Sequence, residues 1–267
     1  MARMIRSTAV GTAFTLAAAI AVCAPPAAQA ASQYAFSSRN VLEPGTKLDV
    51  ANVNGPIVVT HAGGREAKIS ATITSRRGNA RAITINVSRV GRTLYVCPVF
   101  PGQSVKRDCS GRNSSFDNDN DSRVVFSIAI PRGVSVRARN VNGEISATGL
   151  DSDVDAAGVN QNVTIATSAT GTAKTVNGSI DATLGARRWT GSLRFEAVNG
   201  TIWVKLPRDA SFSYRAETLN GGIDVKGFGT GQTSSGFVGR KVAGTVGRGG
   251  GDLALKTLNG PIRLSAR

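Results

Sequence analysis

The sequence predicts an all-β chain made of a repeating, solenoid-like strand unit, on three observations. Apolar stripes of period 3.6 are missing after residue 30. Short alternating runs rich in Val, Thr, Ser and Gly take their place, as in Lys68 to Thr74, Ile83 to Val87 and Val124 to Ile130. The motif [Val/Leu]-Asn-Gly-x-Ile recurs, with later copies spaced by roughly twenty residues or near twice that.

Residues 1–30 have the three parts of a secretory signal: Arg3 and Arg6, an apolar stretch from Ala9 to Val22, and small residues ending Ala28-Gln29-Ala30. Cleavage there predicts a mature chain from Ala31, exported to the periplasm, the cell surface or the medium. The stretch is short for a membrane helix, and none later reaches the roughly 18 apolar residues a span needs. Cys23 follows Val22 rather than the small residue that lipid-modification signals favour, which speaks against an anchor.

A single elongated domain, 31–267, is expected, with an N-terminal β portion at 31–130 and a repeat portion at 131–267. Removing the signal leaves Cys97 and Cys109, the even count favoured by an oxidising compartment, and predicts a disulfide. The short loop it closes would stabilise by roughly 3 kcal/mol in the chain-entropy model. Two cysteines and one histidine, His61, do not supply a four-ligand zinc site. The segment from about Pro98 to Ser122 is expected as an irregular surface loop. Its Asp117, Asp119 and Asp121 alternate as in a calcium loop, but Ser122 and Ile128 stand where Gly and the distal Glu belong. A solvated polar loop is the simpler reading.

The motif pairs are Asn54-Gly55, Asn142-Gly143, Asn177-Gly178, Asn199-Gly200, Asn220-Gly221 and Asn259-Gly260, with Asn160 a degenerate copy. An isolated Asn-Gly suggests a two-residue hairpin turn. Against that, the residue after Gly is polar or Pro, except for Gly222, and Ile follows it each time. Continuous strand parity would put Val198, Gly200, Ile202, Val204 and Leu206 on the inner face and Asn199, Thr201, Trp203 and Lys205 outside. The opposite parity upstream, as in Leu253 and Leu255 before Leu258, predicts a corner or bulge just before the motif. Gly would point inward, where a second backbone passes close. Stacked units would align the Asn side chains about 4.8 Å apart in an amide ladder. The chain closes on a motif strand, which predicts an exposed sheet edge there and a route to self-association.

The Asn-Gly-x-Ile repeats, Pro44-Gly45 before Leu48-Asp49-Val50, the run Ile130-Pro131-Arg132-Gly133-Val134 and the closing Gly247 to Leu255 resemble a bacterial family of exported β-strand-repeat proteins of unassigned role, known as putative adhesins. The likeness covers most of the mature chain. It implies a right-handed β-helix-like fold at the cell envelope and brings no functional residue. The disulfide loop and basic charge depart from a plain member.

No catalytic site is visible and no cofactor is implied. His61 has no identifiable acid or nucleophile partner, and neither a Gly-x-Ser-x-Gly elbow nor a phosphate loop occurs. Asp151, Asp153 and Asp155 read as turn residues. The outward Asp181, Lys205, Asp224 and Arg263 are not acid-paired as a glycosidase or lyase needs, although residues converging in space keep a polysaccharide-cleaving β-helix enzyme as a rival. Without Arg3 and Arg6 the 32 basic residues become 30 against 17 acidic, a mature charge of +13. Such a field attracts polyanions, although Arg-rich composition alone also explains it. Trp203 beside Lys205 is the candidate ligand contact: an indole there can stack on a sugar, sit under a cation, or be covered by a neighbouring loop. The sequence thus indicates a non-enzymatic, adhesin-like interaction or scaffold module. A basic binder of anionic envelope or extracellular polymers (glycan, lipopolysaccharide or nucleic acid) is the alternative.

Overall fold

A computed structural model describes residues 31–110, 121–228, 232–235 and 239–267. The signal at 1–30, and Asp117 and Asp119 of the calcium reading, lie outside the described residues. The alternating runs form strands, and the one helical piece among the described residues is a 3-10 turn at Ala80–Ala82.

The strands before the repeats are β1 (Ser32–Val41), β2 (Lys47–Ala51), β3 (Ile57–His61), β4 (Glu66–Ser75), β5 (Thr84–Val90), β6 (Thr93–Val99) and β7 (Arg123–Ile130). Next come β8 (Ser135–Asn142), β9 (Ile145–Leu150), β10 (Val154–Asn160), β11 (Val163–Thr167), β12 (Gly171–Asn177), β13 (Ile180–Leu184), β14 (Ser192–Asn199) and β15 (Ile202–Leu206). The last are β16 (Phe212–Asn220), β17 (Ile223–Lys226), β18 (Gln232–Ser235), β19 (Arg240–Val246), β20 (Gly251–Asn259) and β21 (Ile262–Ala266).

They assemble into two mixed sheets. The first has ten strands in the order β1-β4-β7-β3-β9-β11-β13-β15-β21-β17, and the second eleven in the order β18-β19-β16-β20-β14-β12-β10-β8-β2-β6-β5. From β8 to β17 the chain alternates between the sheets, each strand pairing in parallel with a strand two places away in sequence or with β20 and β21. The antiparallel partners sit at the ends: β1 and β4 on β7, β5 on β6, and β18 and β19 on β16.

The two strands flanking each Asn-Gly belong to different sheets, so none of these dipeptides is a hairpin turn. The chain changes sheet at Gly-x, within the motif. The expectation of a corner before the motif, with Val198 inside, is therefore corrected. Strand β14 keeps its upstream parity through Val198, which is 37% exposed, while Ala197 and Ile202 are buried. Positive φ at glycine resets the parity, as at Gly55 (108°) and Gly143 (129°).

The motif isoleucines form one inward column. Ile57, Ile145, Val163, Ile180, Ile202, Ile262 and Ile223 stand in register across the first sheet, all but Ile223 fully buried. Facing them from the second sheet are small and large residues in register, among them Ala138, Ala156, Ala173, Phe195 and Leu255. One apolar cluster runs from Leu42 to Leu264.

The expectation of an exposed C-terminal strand is also overturned. Strand β21 lies between β15 and β17, and β20 between β14 and β16. The last unit in sequence is thus inserted before the preceding one in space. The long interval between Asn220 and Asn259 holds the antiparallel strands β18 and β19.

Candidate functional site

The motif glycines let neighbouring units approach. A Cβ on Gly200 would lie 1.9 Å from the carbonyl oxygen of Gly178; on Gly260, 2.2 Å from that of Gly200; on Gly221, 2.0 Å from that of Gly260; and on Gly143, 2.5 Å from that of Gly55. The missing side chain would thus meet the next unit's backbone, the close approach expected of these glycines, and it points toward that neighbour rather than into the apolar core. On Gly178 the Cβ would meet Gln161 O instead, at 1.9 Å.

Outside this glycine column runs a row of amides. Asn142 donates to Asn54 (3.0 Å), Asn160 to Asn142 (3.0 Å), Asn177 to Asn160 (2.8 Å), Asn199 to Asn177 (2.8 Å), Asn259 to Asn199 (2.7 Å) and Asn220 to Asn259 (2.7 Å). Every Nδ2 donates in the same sense along the row, so the amide dipoles add head to tail and each bond polarises the next. Beside it an apolar ridge of Val159, Val198, Leu258 and Leu219 faces solvent.

Beneath the corner lies a second polar column that the sequence reading missed, formed two positions before the motif Asn. Asn52 and Asn140 both donate to Gly55 O, Asn140 also to Gly143 O, Thr257 to Gly200 O and Thr218 to Gly260 O. These buried donors satisfy carbonyls that the change of sheet removes from the ladders. The visible signal was the Asn or Thr at 52, 140, 175, 218 and 257. The degenerate copy uses Gln161: Gly158 leaves room for its side chain, whose Nε2 donates to Asn140 O at 3.2 Å.

Trp203 and Lys205 lie on the outer face of the first sheet. Registers align Asp181, Trp203, Arg263 and Asp224 across β13, β15, β21 and β17, and Thr183, Lys205, Ser265 and Lys226 in the next row. The indole is 36% exposed, its Nε1 donates to Ser265 Oγ at 3.3 Å, and Lys205 Nζ lies 3.8 Å from the ring centroid. Of the three alternatives left open by the sequence, the indole under a cation is the one the geometry contains. Lys205 also bonds both oxygens of Asp181, at 3.0 and 3.2 Å. A trough of about 240 Å³ extends from Trp203 over β21 to Asp224 and Lys226.

The other singled-out residues are dispersed. Cys97 and Cys109 form a disulfide, and the flanking strands β6 and β7 belong to different sheets. Asp121 Oδ1 accepts from the main-chain N–H groups of Arg76 and Arg77. Asp151 accepts from Gly133 N (3.0 Å), Asp153 from Thr170 N (3.2 Å), and Asp155 pairs with Arg137 (2.9 Å). The Gly133 N–H, the Ser152 hydroxyl and Arg132 hold the Asp151 carboxyl below its ordinary value, against partial desolvation. His61 is an exposed residue closing β3. Among the described residues no three His, Cys, Asp or Glu side chains gather as metal ligands, and no helix is long and apolar enough to cross a membrane.

No protein-family model and no curated protein matches the chain. Among solved structures it is similar to a putative cell adhesion protein from Clostridium sporogenes, at 12% identity and a TM-score of 0.45 over 88% of this chain and 100% of that one. It is also similar to a putative adhesin from Bacteroides fragilis, at 14% identity and a TM-score of 0.26 over 86% of this chain and 97% of that one.

Proposed function

We propose that residues 31–267 form one elongated, exported domain, wound as a right-handed two-sheet β-helix, that acts without catalysis as an adhesin-like interaction module. The observation that carries this is the unbroken amide row from Asn54 to Asn220, which ties successive units into one rigid rod. Right-handedness follows the general rule for parallel crossover connections. A rod of this kind holds its outward side chains in fixed rows one strand spacing, about 4.8 Å, apart, which suits recognition of repeating polymers.

A second reading, binding of anionic envelope or extracellular polymers, draws on the excess of basic over acidic side chains, 32 against 17 in the sequence. On the outer face of the first sheet Arg263 stands in register beside Trp203 and has no ion-pair partner among the described residues. Against cleavage, Asp181 and Asp224 are three strands apart, about 14 Å at the usual spacing, wider than the carboxylate pairs of glycosidases. Each is also engaged by a lysine.

The test is binding of the mature protein to lipopolysaccharide, peptidoglycan, acidic polysaccharide and DNA across a salt series, with the same mixtures assayed for new sugar ends. Saturable, selective binding without new ends is expected. Uniform binding that salt abolishes would reduce the charge to non-specific attraction. New sugar ends would make the chain an enzyme.

A further inference from the structure

We propose that the trough between Trp203 and strand β17 binds an acidic sugar residue, with the pyranose ring against the indole and the carboxylate at Arg263; this rests on the anionic-polymer reading above and names its site and ligand class. The charges within the trough are unequal. Lys205 is engaged by Asp181 and Lys226 by Asp224 (3.0 Å), whereas Arg263 has no acidic partner within ion-pair distance among the described residues. Its guanidinium carbon lies 6.0 Å from the indole centroid, on the strand directly beside Trp203. One uncompensated cation next to an exposed aromatic ring matches a ligand with an apolar face and a single negative group at its edge.

The indole is held in place without ligand. Lys205 packs on it from its own strand and Ser265 takes its N–H from the next, so binding loses little rotamer freedom. The hydroxyls of a sugar have partners at the far wall, where Asp224 accepts and Lys226 donates. Asp224 accepts from hydroxyl groups, which a pyranose carries and a DNA backbone lacks, and this favours a glycan over DNA.

Isothermal titration of the mature protein with trigalacturonic acid, a neutral trisaccharide and a short single-stranded DNA tests the assignment. The variants are Trp203→Ala, Arg263→Gln and, on the opposite sheet, Arg194→Gln, each checked for an unchanged melting temperature. Trigalacturonate is expected to bind in preference to the other two. Trp203→Ala and Arg263→Gln should each weaken it by about tenfold or more, with Arg194→Gln within about twofold of wild type. Equal loss in all three variants, or none in Trp203→Ala, would overturn this site while leaving a charge-driven polymer binder intact. Preference for DNA or for the neutral sugar would overturn the acidic-sugar assignment. No binding of trigalacturonate would overturn it too, and a silent polymer panel would remove the reading beneath it.

Discussion

At the scale of single residues, a missing Cβ matters as much as any side chain present. Gly200→Val would drive its Cβ to within 1.9 Å of the main-chain oxygen of Gly178 in the neighbouring unit. A loss of several kcal/mol is expected from this overpacking; a urea midpoint close to wild type would show that neighbouring units are not in contact there. Gly149 is the control. It has φ of 68° but nothing within 4 Å of a built Cβ, so Gly149→Ala should cost only the backbone strain, about 1–2 kcal/mol. Asp151 gives a different readout. Its folded-state carboxyl is lowered by the Gly133 N–H, the Ser152 hydroxyl and Arg132, so its contribution is complete above the unfolded value of about 3.9 and is lost as pH falls through the folded one. Melting curves below about pH 4 should therefore fall less steeply for Asp151→Asn than for wild type. Identical curves would mean that the turn bond to Gly133 does not form in solution.

At the scale of one two-strand unit, the degenerate copy shows that the corner needs a filled space and a carbonyl donor rather than a fixed residue. Five other units place Asn or Thr two positions before the motif Asn, and the Asn199 unit has Ala197; this one has Gly158 there and folds Gln161 into the gap. Gly158→Asn alone should collide with Gln161, and Gln161→Gly alone should leave Asn140 O without its donor. Each is expected to cost about 1–2 kcal/mol, with the double variant, which restores Asn-Val-Asn-Gly, recovering at least half. Chemical denaturation of the four proteins gives the coupling, and additive losses would separate the two sites. This inner column was legible in principle, since the Asn and Thr positions are in plain view. It was missed because a polar residue two places upstream of a turn has no obvious partner until the change of sheet exposes the glycine carbonyls.

At the scale of the molecule, the order of units in space departs from their order in sequence. A simple stack loses only its end when its last unit is removed. Here truncation after Gly250 would withdraw β20 and β21 from between β14 and β16 and between β15 and β17, and remove Asn259 from the amide row. The expected result is an early, broadened unfolding transition and association through the freed edges, seen by size-exclusion chromatography. A monomer with the wild-type midpoint would mean that β16 and β17 close onto β14 and β15, and that the inserted unit is dispensable.

The sequence by itself determined the all-β character, the repeat and the outward direction of Trp203. These depend on local chemistry: two-residue alternation, a glycine where a Cβ will not fit, and Val204 and Leu206 turning inward beside the indole. Parity failed at Val198 because it assumed one continuous strand, whereas glycine at positive φ carries the chain from one sheet to the other and restarts the alternation. Only the tertiary structure decided which copies are neighbours. All the motifs present the same edge, so an interval of near two repeats fits either a skipped unit or an inserted one. The Trp203 trough was decided there too, because Arg263 and Ser265 reach it on a strand whose place between β15 and β17 comes from pairing that local sequence does not encode.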